Sequence, residues 1–130
     1  MLDEIGRVLE ADARIAFALV FGSRARGSSH AGSDVDVAVG LAAGTALDAM
    51  DVGRLVSALE AAAGRSVDLV LLDEAPPGLA YRVFRDGQPL VVKDRAALTR
   101  RLARAILDYL DFKPVEDQFT RAVLRPHHGR

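Results

Sequence analysis

The sequence contains no cysteine and no tryptophan. Disulfide scaffolds, thiol nucleophiles and cysteine zinc sites are thereby excluded together. Aromatic residues make up only 5% of the chain, and no apolar run approaches the roughly 18 residues that a membrane span requires. Acids stand in the opening MLDEIGRVLEADAR where a secretory signal would carry bases, so a soluble, cytoplasmic protein is expected. A strong overall charge is missing too, the net value being -1. Its distribution is uneven: residues 1–92 hold 8 Lys and Arg against 13 Asp and Glu, whereas residues 93–130 hold 9 against 5. A basic final third suits either a solvated arginine face or a surface that binds RNA or an acidic protein.

What is present points to one ordinary domain. The 130 residues are 50% hydrophobic, enough for a core, but 22 of them are alanine. A thin core of helices packed on a sheet is therefore expected. Leu2, Ile5, Val8 and Leu9 recur at helical spacing. Ile15 to Phe21 is a continuous apolar run of strand length, which predicts a strand buried on both faces. After a glycine and serine-rich stretch from Gly22 to Ser33, Val35, Val37 and Val39 alternate with Asp34, Asp36 and Ala38. That period of two predicts a second strand with both aspartates on one face.

Further along, Thr45 with Asp48 resembles a capping box, and Val52, Val56, Leu59 and Ala63 predict a helix that Gly64 stops. Val67 to Leu72 reads as a third strand, DEAPPG as a loop, Leu79 to Asp86 as a short helix, and Pro89 to Val92 as a peripheral strand. Asp94 is placed to cap a helix reaching about Asp111, and Pro114 to interrupt it before a weaker helical stretch from Val115 to Leu124. The expected fold class is α+β, a small mixed sheet with helices on one side and a C-terminal helical extension.

One constellation carries chemistry. Gly22 and Ser23 end the first strand, and after ten residues come Asp34, Val35 and Asp36. Gly22 lets an anion approach the backbone, and Ser23 can cap a short helix whose unpaired N–H groups attract phosphate. Asp34 and Asp36, at i and i+2 of a strand, lie about 7 Å apart at Cα, a spacing from which two carboxylates share divalent ions. Asp68, near the start of another strand, completes the cluster if the two strands are neighbours. Magnesium is usually held by one or two carboxylates together with substrate phosphates, so the pattern suggests metal-nucleotide chemistry.

The segments LVFGSRARG, SDVDVAV and SVDLVLL resemble the signature of the minimal nucleotidyltransferases of the DNA polymerase beta superfamily. The resemblance covers roughly residues 5–92, and GS, ten residues and DxD would arise by chance in well under about 1% of such sequences. It implies that Gly22 and Ser23 hold the triphosphate of ATP, that Asp34 and Asp36 bind two Mg2+ ions, and that Asp68 is the remaining metal ligand or base. Arg26, which matches an arginine of the family pattern before the second glycine, is expected to face phosphate. For Arg26, and for Arg24 on the same turn, solvent exposure or a structural salt bridge is the alternative.

The resemblance further implies an MntA-like antitoxin that transfers AMP to a tyrosine of a HEPN-domain toxin, an RNA-cutting enzyme. On this reading residues 1–130 form a single domain with its catalytic core at about 5–92 and a helical segment at 94–125. A hetero-oligomer with the toxin is expected, and neither a nucleic-acid substrate nor a membrane. Two alternatives remain open, an antitoxin that only masks its toxin and a small-molecule transferase of the aminoglycoside-modifying kind. His30 reads as exposed, His127 and His128 as a frayed tail, and Tyr81 and Tyr109 as half-buried aromatics.

Overall fold

In a computed structural model the backbone is described for residues 1–22 and 34–128, and side chains for 1–22 and 34–111. Along the chain run α1 (Leu2–Ala11), β1 (Ile15–Phe21), β2 (Val35–Leu41), α2 (Ala49–Ala63), β3 (Val67–Leu71), α3 (Pro77–Asp86), β4 (Gln88–Val92) and α4 (Arg95–His128). The strands form one sheet in the order β3-β2-β1-β4. β1 is antiparallel to both neighbours, whereas β2 and β3 run parallel. A parallel pair needs a crossover, which α2 supplies. The peripheral strand expected around Pro89 is the edge strand β4, where the missing proline N–H is tolerated.

Helices cover both faces of the sheet, not one. On the first face, Ile5 and Leu9 of α1 and Leu55 and Leu59 of α2 pack on Ile15, Ala18, Val20, Val35, Val37 and Val39. On the second, α3 and α4 bring Ala80, Val83, Ala97 and Ala105 against Ala16, Phe17, Leu19 and Ala38. The apolar content of β1 demands two covers, since its side chains alternate between faces and all are apolar. Alanine dominates the second face and lets both helices approach the sheet closely. The thin core foreseen from the alanine content is therefore confined to that face.

Local chemistry sets most element ends. Asp48, not Thr45, is the N-cap of α2: its carboxylate accepts from Asp51 N at 2.8 Å and Asp51 accepts from Asp48 N at 3.1 Å. The same spacing is shifted by three residues because Thr45 belongs to the preceding turn, donating its N–H to Ala42 O. Gly64 stops the helix in a left-handed conformation, as its position suggested. α3 starts at Pro77, earlier than Leu79, because a proline at the first helical position carries a suitable φ and needs no donor. Asp94 caps α4 by accepting from Ala97 N at 3.1 Å.

α4 continues through Pro114 to His128, so the expected interruption and the separate stretch at 115–124 do not occur. Proline fixes a φ compatible with a helix and removes one hydrogen bond, which weakens a helix without necessarily ending it.

Lys93 joins the last strand to the first helix. Its Nζ donates to Leu9 O at 3.1 Å, Glu10 O at 3.2 Å and Asp12 O at 2.7 Å, covering carbonyls that end α1. Lys93→Met leaves those carbonyls without their cation and is expected to cost about 1 to 3 kcal/mol. Chemical denaturation checks this, with ATP affinity of the folded protein unchanged.

Candidate nucleotide site

The acids of the motif meet at one end of the sheet. Asp36 lies on β2 and pairs in register with Asp68 on β3. Residues paired across neighbouring strands point to the same face, and such strands lie about 4.8 Å apart. Asp34 directly precedes β2. Asp34 and Asp68 are exposed and Asp36 is half-buried. The neighbouring-strand condition on Asp68 is thus met.

Asp36 feels the other two acids electrostatically. Burial pushes the Asp36 carboxyl above its ordinary value, and the charge of Asp68, a hydrogen bond to Asp68 and the charge of Asp34 push it further. A proton or a cation relieves this repulsion. Among the described residues no group of three or more His, Cys, Asp or Glu is gathered into a metal cage. Magnesium does not require one, because it is commonly held by one or two carboxylates and completed by phosphate and water. An all-oxygen set with mutual repulsion fits such an ion.

Gly22 connects this cluster to the end of β1. Its φ is +74°, a left-handed conformation that glycine adopts without strain, and a Cβ there would collide with Asp36 Oδ2 and stand 3.3 Å from Asp36 Cγ. The strand end and the carboxylate pack this closely only because the side chain is absent. Ser23, Arg24, Arg26 and His30 lie outside the described residues, as do the side chains of His127 and His128. Tyr81 and Tyr109 are half-buried as expected, with rings stacked 4.2 Å apart between α3 and α4.

Beside Gly22 a cleft of about 210 Å³ opens between the end of β1 and α3, lined by Phe21, Gly22, Leu79, Arg82, Val83 and Asp86. Larger hollows beside α1 and on α2 include no residue of the motif. Arg82 was not singled out from sequence. It stands on α3 with no motif spacing to mark it, and only the packing of α3 on β1 brings it to the site.

Residues 3–96 match the family described as polymerase beta, nucleotidyltransferase. The chain belongs to this nucleotidyltransferase family. A protein called a minimal nucleotidyltransferase shares 36% identity, with 67% of this chain and 89% of that one aligned at a TM-score of 0.56. One chain of a toxin-antitoxin complex with AMP-PNP aligns over 95% of this chain and 98% of its own, with TM-score 0.83 and 24% identity. A complex of a tri-AMPylated Shewanella oneidensis HEPN toxin with an MNT antitoxin also has the fold, at TM-score 0.76 and 21% identity, over 95% of this chain and 99% of that one. No curated protein matches the sequence. The nucleotidyltransferase is a four-stranded α+β protein in which Asp36, paired with Asp68, lies against a glycine turn. No helix among the described residues is long and apolar enough to cross a membrane.

Proposed function

We propose that this nucleotidyltransferase is an antitoxin that transfers AMP from ATP to a tyrosine hydroxyl of a HEPN-type RNase toxin and so neutralises it. The observation that carries the chemical part is the pairing of Asp36 with Asp68 beside Gly22 and Asp34. Solved structures of similar fold are toxin-antitoxin complexes, one holding AMP-PNP and one an AMPylated HEPN toxin, and they support the choice of acceptor.

In the proposed reaction the hydroxyl oxygen of the acceptor attacks the α-phosphorus. The bond from that phosphorus to the bridging oxygen breaks, and pyrophosphate leaves with the electron pair. Asp68, paired with Asp36 across neighbouring strands, is assigned to take the hydroxyl proton, a role its position supports. Asp34, Asp36 and Asp68 would hold Mg2+, two ions in the full reading, which when bound neutralises triphosphate charge and assists ionisation of the hydroxyl. Gly22, with Ser23 and Arg26 of the following segment, is assigned to the triphosphate. For this class of transfer the protein mainly positions groups and offsets charge.

The core at about 5–92 carries this chemistry, and the helical segment from residue 94 is assigned to docking. α4 exposes Leu102, Ile106, Leu107 and Leu110 among arginines, a face suited to a protein partner.

Incubation with magnesium, ATP and the product of the neighbouring gene, the candidate toxin, tests the proposal by intact-mass spectrometry. A gain of one or more AMP units on the toxin is expected, and no gain overturns it. Asp34→Ala with Asp36→Ala distinguishes masking, because a masking antitoxin stays active after that change and an AMP-transferring one does not. Transfer to an aminoglycoside and not to protein would favour the small-molecule alternative.

A further inference from the structure

We propose that Arg82 on α3 is a binding residue for the β and γ phosphates of the nucleotide, holding the side of the triphosphate that leaves as pyrophosphate. This rests on the nucleotidyl transfer argued above and adds a residue outside its motif.

The order of strands supplies the direction. Asp68, Asp36 and Gly22 stand on or end the consecutive strands β3, β2 and β1. In transfer at phosphorus the attacking and leaving oxygens lie roughly in line on opposite sides. With the hydroxyl activated at Asp68, on the β3 side, the leaving group extends across β2 toward β1. There it meets Gly22, and beyond Gly22 the cleft under α3.

The charge in that cleft is uneven. Asp86 is engaged by Arg85, whose Nε and Nη2 donate at 2.9 and 3.0 Å. Arg82 is exposed and forms no ion pair among the described residues. An unpaired surface arginine is ordinarily just solvated. This one shares a cleft with the glycine that packs on Asp36, on the side toward which the leaving group extends. Its helix is also fixed, since the neighbouring Val83 and Ala80 are buried against the sheet. A planar guanidinium matches two phosphate oxygens at once, and the helix that carries it is anchored.

Calorimetry on the full chain with magnesium, using ATP, AMP and inorganic pyrophosphate as separate ligands, tests the assignment. Arg82→Gln is expected to weaken ATP and pyrophosphate by about tenfold or more, the scale of a lost charged hydrogen bond, and to leave AMP within about twofold. Arg82→Lys is expected to recover part of the loss, and thermal denaturation to give unchanged midpoints for both variants. Unaltered ATP affinity in Arg82→Gln overturns the assignment alone. Equal loss for AMP and ATP overturns it as well, and places the nucleoside, not the phosphates, against Phe21, Leu79 and Val83. Failure of the wild-type protein to bind ATP at all overturns the nucleotidyl-transfer reading and this inference with it.

Discussion

Asp36→Asn is expected to reduce AMP transfer by at least about 10³-fold while leaving the metal-free protein as stable as the wild type or more so. The two effects have one cause. Asp36 stands between Asp68 and Asp34, where burial and like charge hold its carboxyl above the ordinary value. An amide removes the charge assigned to holding metal and phosphate, and with it the repulsion. The pH dependence follows in sign. With its value raised on folding, Asp36 binds a proton better in the folded than in the unfolded chain, so its contribution favours folding in acid and is lost as pH rises through the folded value. Denaturation of the metal-free protein from about pH 4 upward should thus show the wild type losing ground against Asp36→Asn, and magnesium should restore only the wild type. A variant that is both inactive and unfolded at neutral pH contradicts the explanation.

The second large effect is expected at Gly22. Gly22→Ala introduces a methyl group into a left-handed backbone position and against the Asp36 carboxylate. Strain at such a position costs on the order of 1 to 3 kcal/mol, and the collision must be relieved by moving either the turn or Asp36. Either movement displaces a group assigned to the nucleotide, so AMP transfer should fall by about 10²-fold or more. The contrast with Gly53 and Gly64 makes the test specific. A methyl group meets nothing within 4 Å at either, and only Gly64 shares the positive φ. Gly64→Ala should therefore lower stability without the loss of transfer, as measured by denaturation and by transfer rate in parallel.

Much of this architecture is legible in the sequence because it is written in local patterns. The apolar run at Ile15–Phe21 is β1, with the same ends. The alternation after Asp34 is β2, and Asp94 and Gly64 act as the cap and the stop that their types suggest. Where the reading failed, the deciding quantity was not local. A sheet with helices on one face ignores what β1 itself implies, and α3 and α4 fill the second face with alanines whose burial no periodicity announced. Pro114 reads as a break only if a missing hydrogen bond is taken as decisive, and the backbone of α4 passes through it.

The candidate site divides in the same way. GS, ten residues and DxD are adjacent in sequence and were found there. The pairing of Asp36 with Asp68 depends on the register of the parallel strands β2 and β3, which are joined by the α2 crossover and whose alignment no local spacing sets. Arg82 depends on the contact between α3 and β1, and no spacing from the motif could have led to it. Ser23 and Arg26 are assigned from the motif alone, since they lie outside the described residues.

The most direct test of nucleotidyl transfer to a protein follows the two ends of ATP separately. The chain, magnesium and its proposed HEPN-type partner are incubated with ATP labelled at the α-phosphate or at the γ-phosphate, and protein-bound label is measured. Attack at the α-phosphorus with pyrophosphate as leaving group predicts label on the HEPN protein from the α position and none from the γ position, with the α signal lost in Asp36→Asn. Label retained from the γ-phosphate, or α label undiminished in Asp36→Asn, would contradict the account.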